Sequence, residues 1–282
     1  MSTESYRGKR VVVSGCSSGM GEATARELAR LGAEVHGLDL REARTDLASF
    51  HAVDLRDPAS IDLAVTALGI GAREVHALFN CAGLPQTASP MDVMKVNFIG
   101  TRHLTNGLIR MMSSPGAIVS ISSNGGLGWM QRMQPLQELL AIEDYSQAVG
   151  WCAAHPQAVA EGYSFSKEAI IVWTMMQSFS LIKRGIRINC TTPGPTQTPM
   201  MSHFEAATPA PILEAAMQPI NRRSTPIEQA NALLYLNSEA ASYINGISLP
   251  VDGGFFAAMA TGRIDMAAVV AKSMREPGST DG

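Results

Sequence analysis

Cysteine is scarce and scattered. The chain has four in 282 residues, Cys16, Cys81, Cys152 and Cys190, and their spacing matches neither a metal site nor a disulfide framework. A chain of this length needs no disulfide staple, so a reduced, cytoplasmic setting is expected. The six histidines, His36, His51, His76, His103, His155 and His203, show no zinc-binding pattern, so no metal is expected and a zinc alcohol dehydrogenase is disfavoured. Charged residues make up only 17% of the chain, with a net charge of −3, which gives no electrostatic case for nucleic acid or an anionic membrane as partner. No apolar run is long enough to span a membrane, and residues 1–10 lack the hydrophobic core of a signal peptide.

Hydrophobic residues, by contrast, make up 46% of the chain, enough for a large buried sheet. β-rich runs such as Val11–Val13 and Ile118–Ile121 alternate with helical stretches throughout. This pattern predicts a single α/β domain over residues 1–282, a Rossmann-type doubly wound parallel sheet with helices on both faces, closing near Ile247–Val251.

The first strand, from Arg10, runs into a glycine turn, and a helix is expected from Glu22 to Leu31. Gly15, Ser17, Ser18, Gly19, Met20 and Gly21 form this turn. A glycine cluster alone marks any tight turn. Between a strand and a helix, it also lets backbone approach a pyrophosphate at the helix N-terminus. The second predicted strand, Glu34 to Asp39, ends in an acid suited to the adenosine ribose hydroxyls and unfavourable to a 2′-phosphate, which points to NAD as cofactor. Leu40 and Ser18 stand where a basic residue would serve such a phosphate, although Arg41 follows directly. At the ends of later strands, Asp54 and Leu55 are placed to bracket an adenine, and Asn80, Ala82 and Gly83 leave room for a ribose. Each is also compatible with ordinary turn chemistry.

Tyr163 and Lys167 lie one turn apart on a predicted helix. A free tyrosine titrates near ~10, so it acts as a base at neutral pH only beside a positive charge, which Lys167 would supply. Ser122 and Ser123 both follow the strand that begins at Ala117, and side-chain alternation allows only one of them to face the cofactor.

Taken together, these segments resemble the short-chain dehydrogenase/reductase family over nearly the whole chain. The likeness rests on the turn from Ser14 to Gly21, the segment Asn80–Gly83, the pairs Asn97 with Ser123 and Tyr163 with Lys167, and the stretches Pro193–Thr198 and Val251–Gly254. The resemblance implies a catalytic tetrad of Asn97, Ser123, Tyr163 and Lys167, and it favours Ser123 over Ser122. It also implies that Lys167 grips the nicotinamide ribose, that Asn97 holds a water of a proton relay, and that Pro193, Gly194, Thr196 and Thr198 flank the nicotinamide. Ser123 and Tyr163 are 40 positions apart, far more than in most of the family, so an insertion is placed at about 127–160. The subgroup with such an insertion includes coniferyl alcohol dehydrogenase and 3α-hydroxysteroid dehydrogenase/carbonyl reductase, and its extra helices make a homodimer as plausible as a homotetramer.

The insertion reads as two short helices, with apolar positions Leu136, Leu139 and Leu140, then Val149, Trp151 and Cys152. Residues 195–222 are expected to form a substrate lid made pliable by Met200, Met201, Phe204 and Met217, with Trp129, Met130 and Met133 adding an apolar wall. That lining would suit an aromatic, terpenoid or steroidal alcohol or ketone. No cluster of Arg and Lys marks the lid for a phosphate, carboxylate or CoA ester, with Arg132, Arg222 and Arg223 as the candidates to contribute. The extension 255–282 is read as a helix against a neighbouring subunit or over the pocket, with 276–282 fraying. Two functions follow: an NAD-dependent alcohol dehydrogenase or carbonyl reductase, or a non-catalytic NAD-binding regulator that kept the fold. The complete tetrad favours the enzyme.

Overall fold

The computed structural model describes residues 5–69 and 74–275, so the expectation for 276–282 lies outside the described residues. Seven strands, β1 (Arg10–Ser14), β2 (Glu34–Asp39), β3 (Ser49–Ala52), β4 (Val75–Asn80), β5 (Met112–Ile121), β6 (Ile186–Pro193) and β7 (Ser248–Val251), form one sheet. Their order is β3-β2-β1-β4-β5-β6-β7, and every pairing is parallel. In sequence order the helices are α1 (Gly19–Arg30), α2 (Pro58–Gly69), α3 (Pro90–Met94), α4 (Thr101–Ile109), α5 (Met133–Leu140) and α6 (Tyr145–Ala154). After these come α7 (Gly162–Leu181), α8 (Met201–Ala207), α9 (Ala210–Ala216), α10 (Pro226–Asn237), α11 (Phe255–Ala260) and α12 (Met266–Arg275).

Successive side chains on a strand point to opposite faces, and the core divides accordingly. Val11, Val13, Phe79 and Val119 pack with Leu28 of α1 and Leu233 of α10. Val12, Leu78 and Ile118 pack on the other face with Ile61 of α2, Leu104 of α4 and Ile171 of α7. Both faces are covered, which is why the central strands read as unbroken apolar runs.

The insertion adds a layer outside α7. Leu136, Leu139 and Leu140 of α5 and Tyr145, Ala148 and Cys152 of α6 recur at helical spacing and are buried on the α7 side of the sheet. Asp144 caps α6 by accepting a hydrogen bond from the Gln147 amide at 2.8 Å. As a result every residue of α7 from Phe165 to Thr174 is buried, and the helix carrying Tyr163 and Lys167 is enclosed on all sides along that stretch.

Two details differ from expectation. Helix α1 begins at Gly19 rather than Glu22, so the last glycines of the turn already form its first turn. Between α3 and α4 the backbone widens into a π-helical segment, Lys95–Gly100, which has no signature in residue composition and which presents Asn97. Strand order reverses between β1 and β4, leaving a crevice at the carboxyl ends of the strands, where open sheets of this kind bind ligands.

Candidate active site

Two adjoining cavities of about 380 Å³ each occupy that crevice. The first lies over the glycine turn. Gly15 adopts φ +72° and approaches the backbone of Ala82 so closely that a Cβ there would collide with its amide nitrogen. A Cβ on Gly21 would likewise strike the Gly15 carbonyl, so the turn closes only without side chains. Gly15, Ser17, Ser18, Gly19, Met20 and Gly21 all line this cavity, and the Ser17 hydroxyl is buried there with no hydrogen-bond partner. An unmet hydroxyl beside the opening amides of α1 suits a phosphate.

Asp39 closes the other end of this cavity. Its carboxylate accepts from the amides of Ser17 at 3.0 Å and Arg41 at 3.2 Å, which fixes it at the tip of β2. Leu40 and Arg41 line the same end, together with Val53, Asp54 and Leu55. Asp54 is gripped by the Arg56 guanidinium, with Oδ2 2.7 Å from Nη2, and this holds its carboxyl below the usual range. Its hydrogen-bonding capacity toward an adenine is therefore shared with Arg56. Ala82 and Gly83 form the floor, with Leu84 and Val96.

Asn80 departs from the expected arrangement. It lines neither cavity, and its amide donates inward to Thr105 Oγ1 at 3.0 Å and Ser120 Oγ at 3.1 Å. In strand alternation Asn80 shares the face of Leu78, which points into the α4 layer. Its role is to tie β4 to β5 and α4.

The second cavity holds Ser123, Tyr163 and Lys167, three of the four residues of the expected tetrad. Lys167 is almost fully buried; its Nζ donates to the Ile121 carbonyl at 2.8 Å and lies 5.7 Å from the centre of the Tyr163 ring. Burial pushes the ammonium pKa down to about 8. Tyr163, on the first turn of α7, has its pKa raised by desolvation and lowered in part by the Ser123 hydroxyl. Ser122 and Ser123 both line this cavity, and their hydroxyls have different partners. The Ser122 hydroxyl donates to the Lys167 carbonyl at 2.7 Å, whereas Ser123 Oγ accepts from the Gly125 amide at 3.0 Å at the cavity wall beside Tyr163. Asn97 does not line the cavity. It clamps Leu84, accepting from its amide at 2.7 Å and donating to its carbonyl at 3.1 Å, and it reaches Ser166 Oγ at 3.3 Å.

Pro193, Gly194, Thr196 and Thr198 follow β6 into this cavity, and Thr198 borders both cavities. Met200, Met201 and Phe204, from the segment expected to form a lid, line this cavity, with the Phe204 ring edge-on to Tyr163 at 5.1 Å between centres. Hydrogen bonds from Gln86 to Thr208 and between Thr87 and His203, both 2.8 Å, tie the lid to the loop after β4. Met217 and the wall expected from Trp129, Met130 and Met133 do not reach the cavity. Trp129 and Met133 pack on the α7 core instead, and Met130 is exposed. All three arginines near the lid are paired: Arg132 with Glu168 at 2.7 Å, Arg222 with Glu228 at 2.7 Å, and Arg223 with Glu205. The contributions of Ile212 and Leu213 from α9, and of Phe255, Met259 and Met266 from the C-terminal segment, were not foreseen residue by residue.

A family model described as short chain dehydrogenase matches residues 9–134, and one described as Enoyl-(Acyl carrier protein) reductase matches residues 145–256. Coniferyl-alcohol dehydrogenase of Pseudomonas sp. strain HR199 is 36% identical over 247 residues, covering 87% of this chain and 96% of that protein. The chain belongs to the short-chain dehydrogenase/reductase family. It is similar as well to 3-alpha-hydroxysteroid dehydrogenase/carbonyl reductase of Comamonas testosteroni, 30% identical over 88% of this chain and 97% of that one. The 3-alpha-hydroxysteroid dehydrogenase of Pseudomonas sp. B-0831, solved with NADH, superposes with a TM-score of 0.77 at 28% identity, covering 91% of this chain and 100% of that chain. The residues between the two family matches, 135–144, fall within the insertion. Membership makes this short-chain dehydrogenase/reductase an oxidoreductase.

Proposed function

We propose that this chain is an NAD-dependent oxidoreductase that interconverts an apolar alcohol (aromatic, terpenoid or steroidal) and its carbonyl compound, with Tyr163 as general acid and base. One observation carries the reading: Ser123, Tyr163 and Lys167 converge in an apolar cavity continuous with a crevice that ends at Asp39. The crevice fits a dinucleotide. Its glycine turn admits no side chain, Ser17 Oγ awaits a partner, and Asp39 is oriented by two amides. The relative solved with NADH supports the same cofactor class. When bound, that cofactor supplies the hydride acceptor or donor.

The protein's residues place the substrate and move the proton. Ser123 Oγ lies at the cavity wall and holds the substrate oxygen near Tyr163. In the oxidation direction the Tyr163 oxygen takes the hydroxyl proton, which requires phenolate. Burial opposes phenolate, and the Lys167 ammonium 5.7 Å from the ring favours it. In reduction the same phenol returns the proton. Asn97 fixes the Leu84 backbone, and Leu84 borders both cavities. With Arg132, Arg222 and Arg223 each paired to a carboxylate, the lining favours an uncharged substrate. The four free cysteines support the cytoplasm as its location, and exposed Met176 and Phe179 on the last turns of α7 support a homodimer or homotetramer.

The test is turnover of aromatic, terpenoid and steroidal alcohols with NAD, followed by nicotinamide absorbance, in wild type and Tyr163→Phe. Loss of general acid-base catalysis lowers the rate by roughly 10² to 10⁴. A Tyr163→Phe protein within a few-fold of wild type would refute the mechanism, and wild type inactive on the whole panel would refute the substrate class.

A further inference from the structure

The substrate cavity is closed in part by chain that lies outside the family match. That match ends at residue 256, yet Met259 of α11 and Met266 at the start of α12 line the cavity beside Ile212 and Leu213 of the lid. Helix α12 is amphipathic in a directed way. Met266, Val269, Val270 and Ser273, at i, i+3, i+4 and i+7, are its partly buried positions, while Ala267, Ala271 and Met274 are exposed. This stripe packs against α9, none of whose own side chains is fully buried. Helices α9 and α12 are therefore packed together and border the cavity side by side.

We propose that α11 and α12 form a specificity wall, in which Met266 and Met259 limit the bulk of the apolar tail that an alcohol substrate can carry past Ser123 and Tyr163. Methionine suits this role, since its unbranched thioether fills an irregular boundary. The wall is apolar, so the tail it accepts is uncharged and lacks polar substituents where it meets the two methionines. Substrate range in this protein is thus set partly by residues beyond the family-model match, which ends at residue 256. The proposal rests on the substrate-class reading above and deepens it.

The test uses benzylic alcohols bearing para-alkyl tails of increasing length, assayed with NAD in the full-length wild type, Met266→Ala, Met266→Phe and Met274→Ala. The same series is measured independently of turnover, by its displacement of an apolar fluorescent dye from the protein. Wild type should show a tail length beyond which kcat/KM and displacement both fall. Met266→Ala should move that limit to longer tails and Met266→Phe to shorter ones, by about tenfold in kcat/KM per methylene at the limit, with the KM for NAD unchanged. Met274 points outward, so Met274→Ala should keep the wild-type limit. Opposite shifts in the two Met266 variants distinguish a wall from a loosened helix, which would widen acceptance in both. An unchanged limit in both variants, by displacement as by turnover, would overturn the wall. If no alcohol is oxidised, the reaction assignment fails while displacement still decides the wall.

Discussion

Replacing Lys167 with methionine should stabilise the protein while disabling it. The ammonium is about 4% exposed, and burial lowers its pKa from 10.5 to about 8. At about 1.4 kcal/mol per unit, that depression corresponds to about 3 kcal/mol lost at neutral pH by burying the charge. Methionine fills similar space without charge, but it leaves the Ile121 carbonyl without its 2.8 Å hydrogen bond, a loss of about 1 to 2 kcal/mol. The net expectation for Lys167→Met at pH 7 is a gain of about 1 to 2 kcal/mol, read from urea unfolding followed by circular dichroism. The pH dependence makes the test sharper. Between about pH 8 and 10.5 the folded wild type binds fewer protons at Lys167 than the unfolded chain does. Its stability should therefore rise with pH through that window relative to the variant, closing the gap. Activity should fall at every pH, and any residual alcohol oxidation should shift to higher pH because Tyr163 has lost the charge that favours phenolate. A variant less stable than wild type at pH 7, with the same pH dependence between 8 and 10, would show that Lys167 is not held at an energetic loss.

Asp39→Ser removes the carboxylate that would repel a 2′-phosphate and leaves Arg41 nearby, so the ratio of kcat/KM for NAD over NADP should fall by at least tenfold; an unchanged ratio would remove Asp39 from cofactor choice. Gly21→Ala forces a methyl group onto the Gly15 carbonyl, so nicotinamide binding by calorimetry should be lost or weakened by orders of magnitude; wild-type affinity would show that the turn adjusts. Thr225→Ala removes the capping box that starts α10, where Thr225 and Glu228 bond reciprocally, and should lower stability by about 1 kcal/mol without changing KM for either ligand.

The sheet and its ligand end were legible in the sequence because both follow local rules. Unbroken β-rich apolar runs mark the strands, and the glycines mark a turn that no other residue would close. The different partners of Ser122 and Ser123 depend on how the end of β5 meets α7, where Ser122 donates to the Lys167 carbonyl, and no local pattern encodes that contact. Asn80 was misplaced because its residue type suits a ribose, although alternation from Leu78 already aimed it at the α4 layer, where Thr105 meets it. Trp129 and Met133 were read as pocket wall from their closeness to Ser123 along the chain, but the added layer of α5 and α6 draws them onto α7. Helix α12 falls within the extension whose helical character is legible in the sequence. Its docking on α9 is a contact between segments some fifty residues apart, which no local pattern encodes.

The enclosure of α7 divides the molecule into slow and fast parts. Amides from Phe165 to Thr174 lie on a helix buried all round, so they exchange with deuterium only when the whole domain opens. Helix α8 buries Met201 alone and α9 buries no residue, so their amides exchange through small local openings. Lys167 is therefore anchored in a segment expected to exchange slowly, whereas α8 and α9 beside the cavity are expected to exchange within the lifetime of the folded domain.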